Sequence, residues 1–149
     1  QEQFEKVQGY IKSGISDGAK CEVGGKTIGD KGYFVEPTVL TNTNDKMKVI
    51  TEEIFGPVVA AEPFDNAEEV MARSNNSNYG LAAAVWTSDL KKAINTADAF
   101  RAGTVWVNTY NIFDAALPFG GYKQSGWGRE MGSEILDAYT ETKSVVIAK

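Results

Sequence analysis

The sequence contains no histidine. That absence removes Ser-His and Cys-His nucleophile pairs and every zinc site built on imidazole. Cysteine is almost as scarce. Cys21 stands alone, so no intramolecular disulfide can form, in keeping with a reducing compartment. No apolar run approaches the length of a membrane span. Basic residues are the minority charge: 15 Lys and Arg against 20 Asp and Glu, a net charge of -5. Nonspecific nucleic-acid binding needs clustered Lys and Arg to displace counterions. The nearest thing to a cluster, Lys91, Lys92 and Arg101, lies among acids. Chemistry confined to these residues would run on Glu, Asp, Lys, Tyr or the one thiol. The N-terminus, QEQFEKVQGYIKSG, has no signal-peptide shape and no initiator Met. It begins inside a helical pattern, so the expectation is a piece of something longer.

What is present is globular: 42% hydrophobic and 23% charged residues. The length, 149 residues, suits one domain. Folded alone, a chain of that size buries roughly 70% of the surface its unfolded form exposes.

Phe4, Val7, Ile11 and Ile15 recur at helical spacing and predict a helix over 2–16, weakened at its end by Gly14 and Gly18. A short strand is expected around 21–23. YFVEPTVL (33–40) reads as extended, and Pro37 demotes it to an edge or bent strand. VVAAEPF (58–64) reads as a strand. Asp65 or Asn66 can cap a helix running to about Ser74, with Glu68 and Glu69 in its first turn, where the helix dipole favours acids. NNSNYG (75–80) is a turn cluster. LAAAVWT (81–87) and TVWVN (104–108) read as buried-type strands. They flank a helix capped by Ser88 or Asp89, running to about Arg101 and stopped by Gly103. A long loop covers 109–129, a helix about 130–139, and a short strand closes the chain. Strands and helices alternate, the pattern of an α/β layer fold.

Two stretches stand out as candidate sites. In TEEIFGPV (51–58), Glu52 and Glu53 sit directly against Ile54 and Phe55, and a Gly-Pro stop follows. Two solvated acids before a turn would account for the pair, but not for the aromatic. A binding wall would use both: an acid to accept hydrogen bonds and a ring to pack on a flat ligand. A carboxylate accepting from a sugar hydroxyl contributes about 1.5–3 kcal/mol, an exposed ion pair about 0–1 kcal/mol. The second stretch, TYNIFDAALPFGGYKQSGWGRE (109–130), leaves a strand end, where ligands sit in α/β sheets. Phe113 and Phe119 could line an apolar tunnel, with Asn111 as a polar contact. The alternative is a Gly-rich turn that holds aromatics against the core. The phosphate-loop pattern is absent. Gln3 and Lys6 share one edge of the first helix, either as ligand contacts or as an ordinary polar face. Cys21 has no basic neighbour and reads as a small, partly buried residue.

Taken in order, EEIFGPVV (52–59), NNSNYGLAAAVWT (75–87), GTVWVN (103–108), PFGGYKQSGWGRE (118–130) and AYTETKSV (138–145) resemble the NAD(P)-dependent aldehyde dehydrogenases over the whole chain. The resemblance is to the C-terminal third of such an enzyme. It implies part of the catalytic domain over 1–139 and an oligomerisation strand over 140–149. It implies oxidation of an aldehyde to a carboxylate. A cysteine thiolate attacks the carbonyl, hydride passes to NAD (NADP in some relatives), and a glutamate-activated water hydrolyses the thioester. By the same resemblance Glu53 binds the ribose next to the nicotinamide, Phe55 packs near its ring, and Gln3 and Lys6 contact the adenosine-side ribose. Asn111, Phe113 and Phe119 line the aldehyde tunnel. The family's nucleophile, base and Rossmann loop lie upstream of these residues, so no catalytic residue and no metal ligand is expected here, and Cys21 does not match the nucleophile's motif. The implied partners are a small aldehyde and further copies of the chain, as a dimer or tetramer, in the cytoplasm or the mitochondrial matrix. A non-catalytic binding or structural protein that kept only this region is the rival expectation.

Overall fold

Val7, Ile11 and Gly14 form one buried stripe along helix α1 (Glu2–Ser16), while Ile15, which shares the apolar spacing, turns outward. Gly14 is in the stripe for want of a side chain: a Cβ there would stand 2.9 Å from Val49 Cγ1. Asp17 caps the helix, and Gly18 follows at φ +106°, a backbone state that glycine adopts without penalty. The computed structural model describes all residues, 1–149. They divide into two units, Gln1–Asp65 and Asn66–Lys149, where the bulk numbers suggest one. No change of composition marks the division.

In the first unit, strands β1 (Lys20–Val23), β2 (Thr38–Thr41) and β3 (Val58–Ala60) form a sheet in the order β1-β2-β3. The β1–β2 pair is antiparallel, with a bulge between Cys21 and Val23, and the β2–β3 pair is parallel. β2 is therefore central, not the edge strand that Pro37 suggests. The strand starts one residue beyond the proline, and its first N–H, on Thr38, donates to Pro57 O at 2.8 Å, so no ladder bond is lost. The buried Thr38 hydroxyl is satisfied on both sides, donating to Glu36 O at 2.8 Å and accepting from Gly25 N at 2.9 Å. Helix α2 (Lys48–Thr51) brings Val49 into a core of Val7, Ile11, Ala19, Leu40, Met47 and Ile54.

The second unit opens with α3 (Ala67–Asn75), capped by Asn66, one of the two expected residues, whose side chain accepts from Glu69 N at 2.9 Å. Strands β5 (Ala82–Val85) and β6 (Thr104–Val107) pair in parallel, joined through α4 (Leu90–Ala99). Asp89 caps α4, and the helix ends before the expected Arg101. The Asn75 amide explains the early stop: it donates to Ala99 O and accepts from Arg101 N, both at 2.8 Å, which draws off the last carbonyl. Strands β4 (Tyr79–Gly80) and β7 (Tyr122–Lys123) form a short antiparallel pair, so the stretch 109–129 is not loop throughout.

Helix α5 spans only Ile135–Tyr139, shorter than expected. Met131 and Gly132 take φ +60° and +61°, and the Gly132 N–H is drawn to Ala115 O at 3.0 Å, so the first turn cannot form. The expected closing strand makes no ladder within this chain: residues 141–149 have neither helix nor strand, and Val145, Val146 and Ile147 are exposed. No helix is long and apolar enough to cross a membrane.

Candidate functional site

Thr51 ends α2, and Glu52 leaves the helix in extended conformation (φ -119°, ψ 152°). From there the chain is fastened at successive residues. The Glu52 carboxylate accepts from the Tyr10 hydroxyl at 2.8 Å. Ile54 is buried in the core of the first unit. The carbonyls of Ile54 and Phe55 accept from the Gln3 side-chain amide at 3.2 and 2.8 Å. Phe55 itself lies in the left-handed region at φ +54°, which costs a residue with a Cβ roughly 1–2 kcal/mol. Gly56 then passes over α1, where a Cβ would meet Val7 Cγ2 at 2.5 Å.

The fastened stretch has one free acid. Glu53 is exposed and holds no hydrogen bond or ion pair within the chain, and the Phe55 ring beside it is 75% exposed. The two glutamates that sequence leaves alike are thus divided: Glu52 belongs to the frame and Glu53 faces outward. Gln3 and Lys6 both lie on α1, but with different surroundings. The Gln3 amide nitrogen is taken up by the Ile54 and Phe55 carbonyls, which leaves Oε1 as its open atom. The Lys6 ammonium stands 6.0 Å from the centre of the Tyr10 ring, the outer limit of a cation–π contact. Tyr10 was missed by sequence reasoning, which marked Glu52 and Glu53 as a pair without dividing their roles. The signal was available for Tyr10, which follows Gln3 by seven residues and so shares its helix face.

The aromatic stretch of the second unit is built on Trp106, the one buried side chain of β6. Its indole N–H donates to Ile112 O at 2.8 Å. Tyr110 and Phe113 meet the Trp106 ring edge-on, at 5.2 and 5.7 Å between centroids, and Phe113 meets Phe119 edge-on at 5.1 Å, all favourable aromatic geometries. Phe113 and Phe119 are therefore brought together as the sequence suggests, each part-exposed. Asn111 sits at the turn between Tyr110 and Ile112 at φ +58°, exposed and without a hydrogen bond. Asparagine is among the few residues that accept this conformation readily. Phe119 is pinned in turn by a reciprocal pair with Glu130, N–H to O in both directions at 2.7 Å.

Beyond Phe119, Gly120 and Gly121 admit close crossings of chain. A Cβ on Gly120 would meet Gly128 O at 2.5 Å. A cleft of about 440 Å³ opens here, lined among others by Phe119, Gly121, Trp127, Arg129 and Tyr139. Arg129, also missed by sequence reasoning, holds this turn: its guanidinium donates to Gly121 O at 3.0 Å and Gly128 O at 2.6 Å and lies over the Tyr122 ring. Cys21 plays no part in either stretch; its thiol donates to Val23 O at 3.3 Å.

The family profile described as "Aldehyde dehydrogenase family" matches residues 1–145. A putative aldehyde dehydrogenase, DhaS, of Bacillus subtilis is 57% identical over 145 residues, 97% of this chain and 29% of that protein. A mitochondrial aldehyde dehydrogenase of Equus caballus is 56% identical over the same share of each. Among solved structures, an NAD+ complex of aldehyde dehydrogenase from Bacillus cereus superposes with a TM-score of 0.94 at 56% identity, over 97% of this chain and 30% of that one. An indole-3-acetaldehyde dehydrogenase with NAD+ also scores 0.94, at 49% identity and the same coverage. The chain thus spans less than a third of the length of the relatives it matches.

Proposed function

Since the chain belongs to the aldehyde dehydrogenase family, we propose that it works as the C-terminal portion of an enzyme that oxidises aldehydes to carboxylates with NAD+. The observation that carries this reading is Glu53: an acid with no partner of its own, held beside an exposed Phe55 on a stretch whose other residues are fastened. An outward acceptor beside an exposed ring fits a dinucleotide. When bound, NAD+ supplies the hydride acceptor. The Glu53 carboxylate accepts from the hydroxyls of the nicotinamide-side ribose, and the Phe55 ring packs near the nicotinamide. Gln3, through Oε1, and Lys6 contact the adenosine-side ribose. NADP+ is the alternative cofactor.

In the second unit, Phe113 and Phe119 form an apolar wall for the aldehyde, and Asn111 places a polar group beside it. The wall favours carbon chains over water. The cysteine nucleophile and the base of the family's reaction have no counterpart among these residues. The oxidation through a cysteine thioester therefore requires the rest of a family member.

The region 140–149, with its exposed Val145, Val146 and Ile147, supports a division into catalytic-domain residues 1–139 and an oligomerisation strand. Paired to a neighbouring copy, that strand would satisfy its backbone groups and cover its apolar side chains. A homodimer or homotetramer follows. The cytoplasm is the proposed location, with the matrix as the alternative that mitochondrial relatives offer.

The test begins with the intact mass of the native protein and continues with aldehyde-dependent NADH formation. A mass well above 16.2 kDa, with activity that falls about tenfold or more in Glu53→Gln, supports the proposal. A native mass of 16.2 kDa, or NADH formation indifferent to Glu53→Gln, overturns it.

A further inference from the structure

We infer that Tyr10 and Glu52 are positioning residues that aim the Glu53 carboxylate at the cofactor ribose. This inference rests on the reading of Glu53 given above.

The geometry is a splint with its ends on α1. Gln3 and Tyr10 lie seven residues apart, two turns along one helix face. Between them they hold both sides of Glu53: Tyr10 OH donates to Glu52 at 2.8 Å, and Gln3 donates to the carbonyls of Ile54 and Phe55 at 3.2 and 2.8 Å. Phe55 is left-handed at φ +54°. A phenylalanine relaxes from that conformation unless its surroundings hold it. Release of either end lets the backbone turn at Glu53 and swings the carboxylate away.

The Tyr10–Glu52 bond fastens one side through a carboxylate acceptor. It also explains the adjacent acids. Were Glu52 neutral and apolar, the Tyr10 hydroxyl would lose an acceptor and the splint its near end. Were there a single acid and it bonded to Tyr10, none would face outward. Two acids are needed because one orients the other.

A residue that acts through Glu53 has a measurable signature. Tyr10→Phe deletes the hydroxyl and keeps the ring. In the full-length enzyme it should raise the dissociation constant for NADH, read by the fluorescence of the bound cofactor, by about threefold to tenfold. The KM for the aldehyde should stay unchanged. In a Glu53→Gln background the same Tyr10→Phe change should have no further effect, because the group it positions is gone. Glu52→Gln keeps an acceptor but drops its charge, and should give the same pattern at smaller amplitude, which serves if Tyr10→Phe fails to fold.

An equal loss in both backgrounds, or no loss in either, overturns the positioning role while Glu53 keeps its place at the ribose. If Glu53→Gln alone leaves cofactor affinity unchanged, the ribose reading of Glu53 falls, and the positioning role with it.

Discussion

The Asn108 side chain is bonded to both backbone groups of Thr87: Oδ1 accepts from Thr87 N at 2.8 Å and Nδ2 donates to Thr87 O at 2.9 Å. The pair closes the open ends of β5 and β6 beyond the last rung, Val85 with Val107, one residue on along β6 and two along β5, and Asn108 turns the chain at φ +55°. The aromatic stretch starts from this fixed point.

Asn108→Ala should therefore destabilise the protein by about 1–3 kcal/mol. Two exposed hydrogen bonds are lost, and alanine tolerates the left-handed turn less well than asparagine. Chemical denaturation of the full-length protein checks the loss. Asn108→Gly, which relieves the backbone strain, should recover part of it.

Trp106→Phe should act on the aromatic stretch of the second unit alone. The change keeps an aromatic ring against Phe113 but leaves Ile112 O without its donor. We expect a stability loss of about 1 kcal/mol and a several-fold rise in KM for aldehydes, with the KM for NAD+ unchanged. Steady-state kinetics with each substrate varied in turn measures this.

Glu22 is the carboxyl whose protonation the fold most clearly biases. The hydrogen bond from Lys20 at 2.9 Å, then that from Thr41 at 2.7 Å, hold its pKa below the ordinary glutamate value. Because the folded value lies below the unfolded one, the stabilising contribution is present above the unfolded pKa. It is lost as the pH falls through the folded value. NMR titration should show the depressed midpoint, and Lys20→Ala should move it upward. Salt should shrink the difference, since the carboxyl lies at the surface.

Much of the fold was legible where local signals act alone. The helical spacing of Val7 and Ile11 marked α1, and the pairs Asp65–Asn66 and Ser88–Asp89 marked the starts of α3 and α4 to within one residue, because a cap is decided by a few adjacent groups. The reading failed where a distant partner decides. Asn75 shortens α4 from outside it, Ala115 draws Gly132 from its helix, and the place of β2 between two neighbours is a property of the sheet. The same rule governs the site. Phe113 and Phe119 could be singled out by composition, whereas the division of labour between Glu52 and Glu53 depends on Tyr10, 42 residues away in sequence.

The most direct measurement is a structure of the full-length protein with NAD+ bound. The account predicts a Glu53 carboxylate oxygen within about 3 Å of a ribose hydroxyl, with Glu52 still on Tyr10. A ribose held elsewhere while Glu53 stays in solvent, or one bound by Glu52, would contradict it.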